Sequence, residues 1–322
     1  MVAPPRFVWW QGGLVPWDEA TIHVSDLGWS AVGAVFEGIR AYWNEEHHEL
    51  YVFRLGEHVD RLLRSARAVR LPIAYTAEQV GGLTLELLRA NEIQEDTYIF
   101  PIAYPLDANE KRFDPRELRG ELLVTTKPMP SRLGRGVVYH AKVSSWTRIS
   151  DNVMPPRVKS FANYRNSQLA TFEVKLDGYD VALLLNGQGK LSEAGSASVF
   201  VVRNGHIVTP DLNSDILESV NRDAVIALGR ERLGVEVVER PVDRTELYDA
   251  DEVFICGTAV EITPVVSVDR FVVGRGEPGP VTRELERLLA RALRGADDST
   301  SHWRTVVDVH LGADAGSVVD HA

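Results

Sequence analysis

Short apolar runs with strand alternation and amphipathic helical segments follow each other along almost the whole chain. Two hairpins are adjacent between residues 181 and 210. VALLLN turns through Gly187-Gln188-Gly189 into KLSEAG, and ASVFVV turns through Asn204-Gly205 into HIVTP. Asn-Gly between apolar alternations is among the strongest short signals for a hairpin. The pattern predicts an α/β fold.

The remaining segments divide the chain into two parts. The predicted helices cover about 56–70, 77–91, 163–176, 221–233, 244–249 and 280–294. Further strands are predicted at 7–14, 20–24, 33–43, 49–53 and 97–103, in ELLVTTKP and VVYHAKVSSW, and in VEVVERPV and EVFICG. The segment PMPSRLGRG, with two prolines and two glycines in nine residues, predicts a linker. We therefore expect a small α+β N-terminal domain (1–130), a linker (131–136), a C-terminal α/β cofactor-binding domain (137–296) and a loosely held polar tail (297–322).

Composition excludes several classes of protein. A chain of 322 residues that is 44% hydrophobic can bury a sizeable core, which excludes a disordered, collagen-like or disulfide-stapled protein. The single cysteine, Cys256, cannot form an internal disulfide, so we expect a cytoplasmic, reducing location. A net charge of −11 argues against nucleic-acid and anionic-membrane surfaces as partners. No apolar run approaches the ~20 residues of a membrane span, and the first residues do not resemble a signal peptide.

Lysine is scarce, and one lysine stands out. Only six of the 35 basic residues are lysines, and Lys159 lies in RVKSFANY, between a Pro155-Pro156 break and a helix start. A lysine at a semi-apolar junction of this kind can lose proton affinity by desolvation, as a Schiff-base lysine must. Taken alone, the residue is better explained as a surface lysine beside Ser160.

Three other segments are each weak candidates for a ligand site. Glu193 precedes a run of small residues that leaves room for a ligand. Ser219 and Asn221 are possible helix N-caps, and a helix N-terminus binds anions. Gly257-Thr258 ends an apolar strand. Each segment also has an ordinary structural explanation. No histidine, cysteine or acidic cluster has metal-ligand spacing, so no metal is expected.

In this order, the candidates resemble class IV (fold type IV) pyridoxal-phosphate aminotransferases, and the branched-chain aminotransferases most closely. The resemblance runs from about Trp9 to Arg294. Its most specific motifs are VFEGIRAY (35–42) and GTAVEITPV (257–265). The other matching segments are EHVDRLLRSA (57–66), VSSWTR (143–148), VKSFANYRNS (158–167), LNGQGKLSEAGSASVF (185–200) and NRDAVIALGRERLGVEVVERPV (221–242).

The resemblance implies a cofactor, pyridoxal 5′-phosphate, and assigns it residues. Lys159 would be the catalytic residue, forming the Schiff base and carrying the proton. Glu193 would pair with the pyridine nitrogen and keep the ring an electron sink, and Tyr164 would hydrogen-bond the phenolic oxygen. The other residues implied for cofactor binding, chiefly at the phosphate, are Arg61, Ser196, Ala197, Val220, Asn221 and Thr258.

The implied substrate pocket departs from the family pattern. Its residues would be Ala31, Phe36, Arg40, Tyr98, Phe100, Gly257, Thr258 and Ala259. Ala31 stands where a tyrosine is usual, and Phe100 replaces the arginine of a Tyr-x-Arg-Pro motif. The second change removes a bidentate carboxylate clamp and adds an apolar wall. Arg40 and the backbone amides of the Gly257 turn are then the groups left to meet a carboxylate.

The implied activity is a ping-pong transamination between an amino acid, of the branched-chain or glutamate type, and a 2-oxo acid. Amino donor and keto acceptor are the small-molecule partners, and a homodimer or larger homo-oligomer is implied because the family completes its active sites across subunits. Phe100 and Ala31 leave three alternatives open: an amine or specialised-metabolism transaminase, a lyase of the aminodeoxychorismate-lyase type, and a non-catalytic binding module.

Overall fold

The computed structural model of the chain describes residues 4–106, 110 and 114–308. Its strands are β1 Phe7–Trp10, β2 Gly13–Pro16, β3 Val35–Phe36, β4 Ile39–Asn44, β5 Glu49–Phe53, β6 Thr97–Leu106, β7 Arg119–Pro128, β8 Tyr139–Val143, β9 Val181–Leu185, β10 Leu191–Ala194, β11 Ser198–Arg203, β12 His206–Thr209, β13 Val237–Glu239, β14 Glu252–Gly257, β15 Glu261–Val268, β16 Phe271–Val272 and β17 Arg304–Val307. Its α-helices are α1 Leu27–Val32, α2 Leu55–Ala68, α3 Ala77–Ala90, α4 Phe161–Leu176, α5 Val220–Leu228 and α6 Pro280–Leu293.

The described strands form two sheets. The first is antiparallel, with the order β17-β5-β4-β6-β7-β1-β2 and β3 beside β6. The second has the order β10-β9-β8-β15-β14-β11-β12-β13, with β16 beside β15, and its parallel pairs are β12–β13, β8–β15 and β8–β9. The chain passes from one sheet to the other between Pro128 and Tyr139, the stretch in which the linker is predicted.

Helices α2 and α3 cover one face of the first sheet. Val59, Leu62 and Ala66 form the buried stripe of α2, as the helical spacing predicts, and they pack with the inward residues of the sheet. Along β6 the residues alternate between buried and half-buried. Tyr98 and Phe100 therefore lie on the face away from α2 and α3, where they are free to border a site.

The second sheet is covered on both faces. Phe200 and Phe254 stack at 4.9 Å on the face that packs against α5 and α6. Tyr42 and Phe53 of the first sheet belong to the same apolar cluster, so this core joins the two sheets. On α4, Ala170 and Val174 pack against the strand β9.

Several local predictions are corrected. Residues 20–24 form no strand; the first hairpin closes earlier, through Gln11-Gly12, where both φ angles are positive. Helix α4 begins at Phe161, two residues before the predicted start. The predicted helix at 244–249 is a 3₁₀ turn over Arg244–Leu247. Strand β15 was not predicted.

The expectation of a loosely held tail is wrong for residues 298–307. They form a 3₁₀ helix and then β17, which pairs with β5 at the edge of the first sheet. Trp303 anchors this segment to the first sheet, because its buried ring meets the Phe53 ring edge-on, with the ring centroids 6.0 Å apart. Residues 309–322, and 107–109 and 111–113 of the predicted loop 106–119, lie outside the described residues. Across the described ranges, no helix has the length and apolar character needed to cross a bilayer.

Candidate active site

Lys159 lies where the two halves of the chain meet. The segment before α4 runs along β3, where the Phe36 N–H donates to the Lys159 carbonyl at 2.9 Å and the Phe161 N–H donates to the Ala34 carbonyl at 3.2 Å. Ser160 caps α4, since its side chain accepts from the Asn163 N–H. The lysine backbone is thus fixed from both sides, and only its side chain reaches into the cleft.

The Lys159 ammonium group is held among aromatic rings. Its Nζ donates a hydrogen bond to the Tyr164 hydroxyl. The same nitrogen lies 4.8 Å from the Phe36 ring centroid and 4.9 Å from that of Tyr164. Tyr164 follows Lys159 by five residues, and the first turn of α4 brings its hydroxyl back over the lysine.

Glu193 lies on β10 and points into the same cleft, although it is only 7% exposed. Its Oε1 is 2.8 Å from an Arg148 guanidinium nitrogen, and its Oε2 accepts the Leu217 N–H at 2.9 Å. A buried carboxylate needs a cation or hydrogen-bond donors, and Glu193 has both. Its partner Arg148 was not predicted as a site residue.

The N-terminus of α5 closes one end of the cleft. Ser219 is the N-cap and accepts from the Arg222 N–H at 3.2 Å. The first N–H groups of a helix have no partner within the helix, so the amides of Val220 and Asn221 are suited to an anion. The Asn221 side chain donates to the Thr258 hydroxyl at 3.0 Å, and that hydroxyl donates to the Gly38 carbonyl at 2.9 Å.

Arg61 approaches the same end from α2. Glu37 binds it through both carboxylate oxygens, at 2.7 and 2.8 Å, and the Glu218 carbonyl accepts a third bond at 2.7 Å. His58 Nδ1 lies 2.8 Å from the Glu37 carboxylate. Burial alone would raise the pKa of Glu37, but Arg61 and then His58 hold that pKa well below its usual range. Burial lowers the pKa of His58, which keeps its ring neutral.

The cleft brings together nearly all residues that the sequence assigns to the cofactor. Its lining residues are Arg61, Lys159, Tyr164, Glu193, Ser196, Ala197, Ser198, Leu217, Ser219, Asn221, Cys256, Gly257 and Thr258. A Cβ atom at Gly257 would make ordinary contacts with Ser196 and Ala197 at 3.4–3.5 Å, so Gly257 lies directly against this wall. The sequence did not predict Ser198 and Leu217 as lining residues, because only the fold places them at the cleft. Burial raises the pKa of the Cys256 thiol to about 12, which leaves it unreactive.

The predicted substrate residues separate into three groups. Phe36 and Phe100 meet edge-on at 5.4 Å, and Tyr98 lies 6.0 Å from Phe100. Phe161, which was not predicted, joins them at 4.6 Å from Phe36 and 6.0 Å from Phe100. Together they form an apolar wall beside Lys159, here called the aromatic wall (Phe36, Tyr98, Phe100 and Phe161).

Two predicted substrate residues lie apart from the cleft lining. Arg40 is 1% exposed; a guanidinium nitrogen is 3.5 Å from Glu261, and another donates to the Met129 carbonyl. Ala31 is exposed and lines a second apolar cavity, which Phe161 of the aromatic wall also lines. Through Glu261, Arg40 joins the two sheets.

Gly257 and Thr258 line the cleft, while Ala259 is exposed.

The described residues contain no group of three or more histidine, cysteine or acidic side chains arranged to hold a metal ion. The polar groups of the cleft instead include one amine, one carboxylate, one phenol, one guanidinium, several hydroxyls and a helix N-terminus. This set defines an enzyme site for an anionic organic cofactor with a basic ring nitrogen and a group that reacts with an amine.

The chain matches a known family over most of its length. Residues 34–268 match the model of the amino-transferase class IV family. A probable branched-chain-amino-acid aminotransferase of Aquifex aeolicus is 43% identical over 303 residues, covering 94% of this chain and 96% of its own. The branched-chain amino acid aminotransferase of Thermobaculum terrenum, solved in its PLP form, is 47% identical with a TM-score of 0.92, covering 94% of this chain and 99% of its own.

A third relative was solved with a cofactor adduct. The T.th. branched-chain amino acid aminotransferase, complexed with N-(5′-phosphopyridoxyl)-L-glutamate, is 34% identical with a TM-score of 0.86, covering 96% of this chain and 100% of its own. The chain belongs to the class IV aminotransferases, whose members transaminate with pyridoxal 5′-phosphate. This confirms the fold-type-IV α/β architecture that the motifs predict.

We predict that Glu37→Gln lowers the free energy of unfolding by about 3 kcal/mol at pH 7, because it leaves Arg61 buried without its anion. A carboxyl with a depressed folded-state pKa contributes its full stability above the unfolded pKa of about 4.3 and loses it at lower pH. The difference from wild type should therefore be the same at pH 7 and pH 5.5 and shrink below about pH 4.

Denaturant unfolding at fixed protein concentration measures this difference. The control is Glu57→Gln on α2, the helix that carries Arg61. This change breaks a partly exposed pair with Arg54 and should cost under about 1 kcal/mol. Equal costs for the two variants would show that the Glu37 pair has no special place in the fold.

Proposed function

We propose that this chain is a pyridoxal-phosphate-dependent aminotransferase that moves an amino group between a branched-chain amino acid or glutamate and a 2-oxo acid. One observation carries the proposal: the Lys159 amine, hydrogen-bonded to Tyr164, shares a cleft with the Glu193 carboxylate and the N-terminus of α5. The names of the relatives support the substrate class, and the glutamate adduct of one relative supports glutamate as donor.

The residues of the cleft fit the proposed cofactor group by group. Arg61 and the amides of Val220 and Asn221 suit the phosphate, with Thr258 beside them. Glu193 suits the ring nitrogen, Tyr164 the phenolic oxygen and Lys159 the aldehyde. When bound, pyridoxal phosphate supplies the electron sink that makes the substrate Cα–H acidic.

Lys159 would carry the proton, and Tyr164 would hold the Lys159 amine in position. The amine is held at the edge of the cleft by the phenol and by two ring faces, so its position is set before substrate arrives. A general base must stand within hydrogen-bond reach of the proton it removes, and Lys159 supplies the cleft's amine beside the Tyr164 hydroxyl. We propose that Lys159 would carry the proton between the substrate Cα and the C4′ atom of the cofactor, in opposite directions in the two halves of the cycle.

The substrate would be recognised by backbone amides and by the aromatic wall. The turn at Gly257 and Thr258 offers amides to the α-carboxylate. Tyr98, Phe36 and Phe100 offer rings to an apolar side chain, with no cation where the family keeps an arginine. The wall therefore suits leucine-like side chains better than a second carboxylate.

The alternatives left open by the sequence are not favoured, because the family and the relatives reported above are aminotransferases. Release of pyruvate without a keto-acid acceptor would mark a lyase, and turnover of amines lacking a carboxylate would mark an amine transaminase. A non-catalytic module would leave all the cofactor groups of the cleft without a use.

We further propose that the chain forms a homodimer through residues 17–32. This segment exposes six large apolar side chains: Trp17, Ile22, Val24, Leu27, Trp29 and Val32. Exposed apolar patches of this kind mark interaction surfaces. The segment also borders the apolar cavity at Ala31 that adjoins Phe161, so a second copy seated there would reach the aromatic wall.

The domain division and the location are also proposals. We propose that the two sheets correspond to domains 1–130 and 137–296, with residues 304–307 returning to the first. A cytoplasmic location is in keeping with the single buried thiol of Cys256.

Lys159→Ala is expected to abolish transamination and to remove the visible absorption band of the purified, cofactor-loaded protein. Lysine is required both for the bond to the cofactor aldehyde and for proton transfer. The measurement is an absorption spectrum followed by half-transamination with leucine and recovery with 2-oxoglutarate. Lys175→Ala, an exposed lysine on α4, is the control and should behave as wild type. A visible band that persists in Lys159→Ala would exclude this lysine.

Phe100→Arg is expected to raise the ratio of kcat/KM for glutamate to that for leucine about tenfold, because a charge-assisted hydrogen bond to the second carboxylate contributes on that scale. Steady-state kinetics with both donors measures the ratio. Phe100→Leu keeps the wall apolar and should leave the ratio nearly unchanged. An unchanged ratio in Phe100→Arg would show that this position does not contact the donor side chain.

Leu27→Asp is expected to convert the dimer to a monomer, because it places a charge in the apolar surface of residues 17–32. Sedimentation velocity would then report half the wild-type mass. Leu176→Asp changes another exposed leucine, at the end of α4 and outside this surface, and should stay dimeric. A monomeric wild type, or a dimeric Leu27→Asp, would contradict the proposed interface.

A further inference from the structure

The Glu193 carboxylate is held by two groups from different parts of the second half of the chain. An Arg148 guanidinium nitrogen lies 2.8 Å from Oε1, and the Leu217 N–H donates to Oε2 at 2.9 Å. Arg148 and Glu193 are 6% and 7% exposed. No other residue that the structure describes is paired with Glu193 through a salt bridge, so Arg148 is its counter-ion.

Arg148 is itself held by three further hydrogen bonds, two from its guanidinium and one from its backbone. Its Nη1 donates to the Ser167 hydroxyl at 3.3 Å, its Nε donates to the Asp215 carbonyl at 3.4 Å, and its backbone N–H donates to the Leu185 carbonyl at 2.8 Å. Asp215 belongs to the loop that also supplies the Leu217 amide. The guanidinium therefore cannot leave Glu193 without losing its contacts to α4 and that loop.

Ser167 gives the contact a second consequence. It lies three residues after Tyr164 on α4, so it is one turn away on the same helix. Arg148 thus touches both the carboxylate proposed for the ring nitrogen and the helix that carries the phenol proposed for the ring oxygen. The Arg148 side chain therefore connects Glu193 with the helix that carries Tyr164.

The arrangement leaves the carboxylate free to act. Each carboxylate oxygen has two lone pairs, and in Glu193 each is shown with one partner. A lone pair on either oxygen remains for a ring N–H. Arg148 holds the carboxylate and compensates its charge, and Arg148 itself is not one of the residues that line the cleft.

We infer that Arg148 is a positioning residue that holds Glu193 as an oriented anion for the ring nitrogen of the cofactor; this rests on the proposed function. Without the guanidinium, Glu193 would be a buried carboxylate lacking a cation, which is the costly arrangement. The hydrogen bond between Glu193 and a protonated ring nitrogen would weaken, and the affinity for the cofactor would fall.

The test compares pyridoxal-phosphate binding in five variants: Arg148→Met, Arg148→Lys, Glu193→Gln, and each of the two Arg148 variants combined with Glu193→Gln. Apoprotein is titrated with pyridoxal phosphate, and the dissociation constant and the pH dependence of the visible band are recorded. Thermal unfolding of each apoprotein reports folding separately. Arg203→Met is the control, since Arg203 is partly exposed and pairs with Glu246 and Asp249 far along the chain from Glu193.

We expect Arg148→Met to raise the dissociation constant about tenfold or more and to shift the pH dependence of the band, with partial rescue in Arg148→Lys. Because the arginine acts through Glu193, Arg148→Met should add little once Glu193→Gln is present. Where the methionine variant does not fold, the lysine variant carries the same comparison in both backgrounds. An equal effect with and without Glu193, or no effect on binding or band, overturns the inference. A wild-type protein that does not bind pyridoxal phosphate overturns the proposed function and this inference together.

Discussion

The buried ion pair between Glu37 and Arg61 holds the cofactor end of the cleft together. Glu37 is fully buried on the first sheet, and Arg61 reaches it from α2 while donating to the Glu218 carbonyl before α5. Separating such a pair leaves an uncompensated charge in the interior, which is strongly unfavourable. The N-terminus of α5, in the second half of the chain, is therefore held in place by two residues of the first half.

The motif VFEGIR explains why the two sheets meet at this point. Phe36 bonds the Lys159 backbone, Glu37 binds Arg61, the Gly38 carbonyl accepts from Thr258, and Arg40 pairs with Glu261. Gly38 admits no side chain, because a Cβ atom there would lie 2.2 Å from the Tyr98 hydroxyl. A six-residue stretch thus carries much of the junction, which is why it is such a specific sequence signal.

The sequence predicts what local chemistry and motif order determine, and misses what only the fold brings together. Lys159 could be found because lysines are few and this one precedes a helix start. Arg148 could not, since nothing in the spacing of VSSWTR pairs it with Glu193. The same holds for β17: three of its four residues are β-branched and favour a strand, but only the fold supplies the edge of β5 with which it pairs and the Phe53 ring that Trp303 contacts. Arg40 shows the opposite case: its motif indicated a substrate contact, whereas the fold buries its side chain beside Glu261.

Charge in the site is balanced mainly within the protein before any substrate enters. Three arginines at or near the cleft each have a carboxylate partner: Arg61 with Glu37, Arg148 with Glu193, and Arg40 with Glu261. In the binding mode we propose, a substrate carboxylate would meet neutral amides at the Gly257 turn, and its side chain would meet the rings of Phe36 and Phe100. Amide dipoles fixed in place bind an anion with little reorganisation, whereas an unpaired cation in an apolar wall would need desolvation of its own. Phenylalanine at position 100 is consistent with that balance: a wall without a free cation favours the apolar side chain and leaves the cofactor contacts undisturbed.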